Sequence, residues 1–478
     1  MFGHLPSPDA GPDATEALFT LLDANANALG PPRDNTHIPA GYTYLGQFID
    51  HDITFDPTSL LGRDNDPQAL VNFRTPRYDL DSLYGSGPQD QPFLYDWDCE
   101  PRGVKLLVGH NPADAEGERS EPVDLPRNER GRALIGDARN DENLIVSQLH
   151  LLFIHFHNTV VDCLCDHGDT GSDDSWIFDE ARRIVRWHYQ WIVVHDFLER
   201  LVGAPMAHEV LIPAAVPGDA PATKRRFYSW QDEPFMPVEF SAAAFRCGHS
   251  MVRAKYRPKS AVATGFPILP PDGSPGLDFS GFRRLPHALA IDWDRFFDIL
   301  PNDPPTPSKK IDAFISLPLF KLPPDGRKAL PRLNLQRGRA LGLPAGRDVA
   351  HAMGEEPLTR EQLELFDPHV RPCADVLFRA TPLWYYIVCE ARAVGMAGLP
   401  LEPTAGGISL GPVGGRIVAE VLVGLLEGDP QSYLRQWPAW TPALDAKILR
   451  FDAADPTTFT MPDLVRFADP PRANAPKS

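Results

Sequence analysis

What this chain has little of narrows its class before any motif is read. Cysteine is scarce: Cys99, Cys163, Cys165, Cys247, Cys373 and Cys389 are the six in 478 residues, and no CxxC pair occurs. That excludes a small disulfide-stapled scaffold and leaves no zinc-type ligand spacing. Cys163 and Cys165 lie two apart on an expected helix, face different sides and are not expected to pair. Positive charge is in deficit, with 46 Lys and Arg against 64 Asp and Glu and a formal net charge of −18. Nucleic-acid binding needs a basic face, so a nucleic-acid partner is not expected, and an anionic membrane surface is disfavoured. No run of about 18 apolar residues occurs, so no membrane span is expected. The opening stretch, MFGHLPSPDAGPDATEALFTLL, has neither a basic segment nor a continuous apolar one, which argues against a secretory signal. With few cysteines, this favours a cytoplasmic location over a secreted one. Strand-like alternation of apolar and polar residues is also scarce.

Proline, by contrast, is abundant at 51 residues, clustered at 257–276, 301–308, 318–332 and 470–476. Proline fixes φ and lacks a backbone donor, so these clusters read as irregular connections. Between them, helical periodicity covers about 142–167, 177–202 (with Asp174 as cap), 237–255 and 413–427. The expected fold is mostly α: a single large helical domain over 16–469, with long proline-rich loops and very little β. The ends, 1–15 and 470–478, are expected to be flexible.

Five blocks carry candidate chemistry. The first, Tyr44 to Thr54 (YLGQFIDHDIT), sets His51 between Asp50 and Asp52, with Gln47 one helical turn earlier. Charges inside an apolar segment need a partner or a metal, unless the segment is a capped, solvent-facing turn. The second, Thr75 to Ser86, alternates Thr75, Arg77, Asp79 and Asp81; in an extended loop these could aim oxygens at one point, which suits calcium, or form an ordinary acidic turn. The third, Gly136 to Leu144, places Arg139 and Glu142 three apart at a helix start, where the plain reading is an ion pair. The fourth, Ala244 to Ser250, puts His249 on a helical stripe with Phe245 and Val252, next to Gly248, which would admit a flat cofactor. A core histidine fits the same stripe. The fifth, Leu333 to Pro344, is arginine-rich and contains Asn334.

In this order, and together with Leu410 to Arg416, the blocks closely resemble the animal haem peroxidases (the peroxidase–cyclooxygenase superfamily) over roughly residues 40–430. The resemblance implies haem b as cofactor, with His51 as the distal proton acceptor, Arg139 as the distal arginine and Gln47 as the residue orienting distal water or halide. It implies His249 as the proximal iron ligand, Asn334 as the partner of its other ring nitrogen, and Arg246 near the haem propionates. Asp50 and Glu142 match carboxylates that become ester-linked to haem in some members. Asn143 stands where one branch carries a methionine bonded to a haem vinyl group, so that link is not available. Asp52, Thr75, Arg77 (through its carbonyl), Asp79 and Asp81 match a calcium site, with Asp81 replacing the usual serine.

The activity so implied is peroxidase: reduction of hydrogen peroxide with oxidation of a halide, thiocyanate or phenolic donor. Two alternatives stand beside it. Fatty-acid dioxygenases of the same superfamily place a radical-forming tyrosine three residues before the proximal histidine, where this chain has Arg246. A non-catalytic haem-binding or adhesion protein would need only His249. The missing signal and sparse cysteines suggest a bacterial member.

Overall fold

The computed structural model describes residues 1–28, 33–54, 75–109, 124–167, 173–215, 219–271, 273, 276–323, 326, 328–394, 406–450 and 458–468. The 470–478 tail lies outside the described residues. The architecture is helical, and among the described residues strands are confined to three short antiparallel pairs: Asp34–Pro39 with Pro307–Lys309, Leu211–Ile212 with Ala222–Thr223, and Lys255–Tyr256 with Phe266–Pro267.

The centre is the helix Leu144–His167, which buries residues on nearly every side, from Leu144 and Ile145 to Val161 and Leu164. Asn143 starts it: its side-chain oxygen accepts from the amides of Ile145 (3.1 Å) and Val146 (2.9 Å), satisfying donors that have no partner within the helix. By length and composition this helix could cross a membrane, but 83% of its apolar window is buried inside the protein, the pattern of a core helix. Against it packs Asp174–Ile192, capped by Asp173, whose carboxylate accepts from the Trp176 amide (3.0 Å). The cap therefore falls one residue before the Asp174 expected from sequence.

The expected 177–202 helix is interrupted. Val193–Phe197 forms a π-turn, and Leu198–Val202 closes at Gly203 with φ of 84°. The π-turn presents Asp196, which takes hydrogen bonds from the Tyr42 hydroxyl (2.7 Å), Arg200 (2.8 Å) and the Met461 amide (2.9 Å). Phe197 from the same turn lies against Gly46. The irregularity thus docks the helix Ala40–Ile53, which carries the first sequence block.

The fourth expected helix is present as Pro412–Gly428. Here and in Leu330–Ala340, proline sits in the first turn, where no amide donor is needed. Prolines therefore open helices as well as connecting them.

Two expectations differ from the structure. Residues 237–255 do not form one helix. They make three short turns, Val238–Ser241, Ala244–Cys247 and Gly248–Met251, and Val252 lies beyond the last in extended backbone. Arg246 closes the break by donating from Nε to the Ser241 carbonyl at 2.8 Å. Within the first 15 residues, expected to be flexible, Phe2 is instead buried against Phe227, its amide donates to Glu239 (2.6 Å), and a helix begins at Gly11 and runs to Asn27.

Candidate active site

Gln47 and His51 are one helical turn apart on Ala40–Ile53, so both point to the same side. His51 is buried, which rules out the solvent-facing turn for this residue. Burial first, and then the positive charge of Arg139, lower its imidazole to about 4, so the ring is neutral at neutral pH. Its Nδ1 lies 2.8 Å from Asn140 Oδ1, and its Nε2 faces Glu142 Oε1 at 3.6 Å.

The close carboxylate partner of Arg139 is Asp137, while its charge also reaches Glu142. Arg139 sits in the tight turn Ala138–Asp141, capped by Asp137, and its guanidinium bonds Asp137 Oδ2 (2.7 Å), the His51 carbonyl (2.9 Å) and the Thr54 carbonyl. A tight turn brings residues two apart together, and the carbonyls are those that end the distal helix, where positive charge is favoured. Burial would raise the Asp137 carboxyl, but bonding and charge from Arg139 outweigh it and hold it at about 2. Arg127 anchors the same turn by a two-pronged contact with Asp141 (2.7 and 2.7 Å) and a second with Asp124. These five charged groups can be buried together only because each has a partner.

Glu142 accepts a hydrogen bond from Gln47 Nε2 (2.5 Å), and Asn143 Nδ2 donates to Gln47 Oε1 (2.9 Å). Burial pushes the Glu142 carboxyl up to about 7, against the opposing influence of Arg139 and Gln47. Asp50 is half-buried, and its carboxylate makes no hydrogen bond or ion pair among the described residues.

His249 lies in the Gly248–Met251 turn, which packs directly against the distal helix. Its Nδ1 is 2.9 Å from the side-chain amide of buried Asn334, 85 residues further along the chain on Leu330–Ala340. Burial, then the charges of Arg246 and Arg337, drive its imidazole well below the usual range. The ring is neutral; Asn334 Nδ2 faces Nδ1, and it is with the amide turned so that its oxygen accepts from Nδ1–H that Nε2 keeps a lone pair to offer a metal. A side-chain carbon added at Gly248, next to His249 in the chain, would meet no protein atom within 4 Å outside its immediate neighbours, so the space off this backbone is open. Arg246 is half-buried, and its carbonyl accepts from the Trp384 indole at 3.3 Å. Two surface clefts, one walled by Leu107, Asp124 and Arg127 and the other by Leu21, Glu361 and Phe366, border neither histidine.

Of the calcium candidates, Asp52, Asp79 and Asp81 converge, with one carboxylate oxygen from each within 4.8 Å of the others. The loop is not extended throughout. Leu80 takes the left-handed conformation (φ 55°), rare for a leucine, and Asp81 begins the short helix Asp81–Tyr84. Thr75 is exposed at the start of this described stretch, and the Arg77 side chain turns towards Glu233 (4.0 Å). The loop is tied to the Arg139 turn at Gly136, where a Cβ would come within 2.5 Å of the Asp81 carbonyl.

Sequence reading missed Asp137, Asn140, His150 and Arg337. Arg337 follows Asn334 by three residues on a helix and could have been found from that spacing. Asp137 and Asn140 flank Arg139, but nothing in the string separates them from ordinary capping residues.

The animal haem peroxidase family matches residues 59–370, well over half of the chain, and this protein belongs to that family. The matched span contains Arg139, His249 and Asn334; His51 precedes it. Dog thyroid peroxidase is 27% identical over 292 residues, covering 58% of this chain and 29% of its own length. Chorion peroxidase of Drosophila melanogaster is 26% identical over 239 residues, covering 49% and 28%. The match thus spans less than a third of these relatives. Among solved structures, peroxidase A of Dictyostelium discoideum aligns over 98% of this chain and 90% of its own with a TM-score of 0.61 at 17% identity. The Oryza sativa fatty acid alpha-dioxygenase aligns over 97% and 79% with 0.63 at 15%. At these identities the likeness is one of fold, and that fold is the helical one of both peroxidases and dioxygenases.

Proposed function

We propose that the protein is a haem-dependent peroxidase that reduces hydrogen peroxide and oxidises a small donor, such as a halide, thiocyanate or a phenol. The observation that carries this reading is the pairing of a neutral, buried His51 beside a fixed Arg139 charge with an amide-partnered His249 on a neighbouring turn. The donor set fits haem b: His249 would bond the iron, Arg246 would meet the propionates, and the space off Gly248 is open. Bound haem would supply the redox chemistry. The chain's own part is proton handling. His51 Nε2 takes the proton from the near oxygen of peroxide and returns it to the departing oxygen, a double role suited to an imidazole that is neutral at working pH. The Arg139 charge favours negative charge developing on that oxygen. Gln47 orients distal water or halide.

Asp50 and Glu142 are proposed to ester-link to the haem; complete extraction of haem into acid–acetone would remove that claim. Asp52, Thr75, Arg77 (carbonyl), Asp79 and Asp81 are proposed to hold calcium, since three clustered carboxylates repel one another without a cation. Because Asp52 follows His51, the ion would steady the distal ring. Holoprotein that keeps no calcium after exhaustive dialysis, yet reacts normally, would contradict this.

All six cysteines are free thiols, which supports a reducing, cytoplasmic compartment. Cell fractionation that finds the protein outside the cytoplasm would reject it. Lipid dioxygenation is disfavoured by Arg246 standing where that chemistry would need a tyrosine. The functional test sets peroxide consumption with iodide, thiocyanate and guaiacol against oxygen uptake with linoleate and arachidonate. Donor-dependent peroxide consumption without oxygen uptake is expected; the reverse pattern would transfer the assignment to a dioxygenase.

A further inference from the structure

The turn that delivers Arg139 brings a second residue to the distal histidine. Asn140 is fully buried, with Oδ1 2.8 Å from His51 Nδ1 and Nδ2 3.0 Å from Nδ1 of His150. His150 is itself buried on the central helix and edge-on to Phe48 of the distal helix. The three side chains form one line, His51–Asn140–His150, bridging the two helices that wall this side of the site.

The amide in the middle is polar in one direction: its oxygen only accepts and its nitrogen only donates. In the arrangement present, Nδ2 donates to His150 Nδ1, and Oδ1 can do nothing but accept from His51 Nδ1. His51 must then carry its proton on Nδ1 and keep the lone pair on Nε2, the nitrogen that faces Glu142. Turned over, the same amide would put the lone pair on Nδ1, and Nε2 would have none with which to accept a proton. The order of the three groups therefore decides whether His51 can act as a base at all.

We propose that Asn140, anchored by His150, is the positioning residue that fixes the tautomer and ring orientation of His51. This rests on the reading of His51 as the distal proton acceptor, and it adds a residue of the Ala138–Asp141 turn. His150 acts only by holding the amide the right way round.

The test is stopped-flow spectroscopy on holoprotein with three probes. Peroxide and hydrogen cyanide must both give up a proton to His51 Nε2 as they bind, whereas carbon monoxide binding to the reduced protein transfers none. In Asn140→Leu, near the same size but without an acceptor, peroxide and cyanide should slow together by roughly 10–100-fold, the scale on which loss of a histidine's orienting partner registers. Carbon monoxide should bind at the wild-type rate. Asn140→Asp, which keeps an oxygen towards His51, should recover most of the loss. If Asn140→Leu folds poorly, Asn140→Ala, which adds no bulk, replaces it. Wild-type cyanide and peroxide rates in the variant would overturn the proposal, as would equal slowing of carbon monoxide, which signals a collapsed pocket. Cyanide separates this inference from the functional one: a wild-type protein inert to peroxide defeats the peroxidase reading, while the variant-to-wild-type ratio for cyanide still decides the role of Asn140.

Discussion

Replacing His249 with glycine is expected to weaken haem retention by more than roughly 100-fold, about 2.7 kcal/mol, and added imidazole should restore it. The expectation follows from local geometry. His249 sits on a short turn rather than a continuous helix, so its ring is held by the Asn334 amide 2.9 Å away and by the packing of the turn, not by a helical stripe. Its remaining nitrogen is the atom proposed to bond the iron. Pyridine-haemochrome titration of apoprotein reconstituted without peroxide measures the effect before any ester bond can form. Wild-type haem retention by the glycine variant would assign His249 to the core.

His51→Leu is expected to retain haem and lose about 10²–10⁴-fold in the second-order reaction with peroxide, the range in which a positioned proton acceptor contributes. The loss should fall on the peroxide step and leave the affinity for donor near wild type, because His51 is buried and donors are oxidised after peroxide has reacted. Stopped-flow kinetics at several peroxide concentrations separates the two steps. A loss below about tenfold would mean that another group takes the proton, and Glu142, whose carboxyl lies 3.6 Å from His51 Nε2, is the group to examine.

Much of the frame was legible in the sequence, because a 3.6-residue apolar period survives as a helix wherever the chain is long and uninterrupted. Leu144–His167 and Pro412–Gly428 fall within two residues of the expected spans. The period fails where tertiary hydrogen bonds override it. The 237–255 stretch has helical spacing, yet Pro237 and the Arg246 bond to the Ser241 carbonyl divide it into turns. The π-turn at Val193–Phe197 has no signature in the string, because it depends on Tyr42 and Met461 meeting Asp196 from far away.

The site divides in the same way. Gln47 and His51 could be placed on one side from their spacing alone. The proximity of Asn334 to His249 came only through family resemblance, since nothing local links residues 85 apart. Asp137 as the close partner of Arg139 was not legible, because i,i+3 spacing assumes a regular helix, whereas the chain there makes a tight turn that brings the guanidinium back onto Asp137. Asn140 was overlooked for a related reason. An Asn beside an Arg at a helix start reads as a cap, and only the fold reveals a buried histidine on each side of it.

The proposed site places a peroxide-reactive haem between the His51 helix and the His249 turn. It is tested most directly by the visible spectrum of the purified holoprotein, recorded before and within seconds of adding one equivalent of hydrogen peroxide. The Soret band is expected to shift at once and to return when a phenolic donor is added. A protein that takes up no haem, or whose Soret band stays unchanged by peroxide, would contradict it.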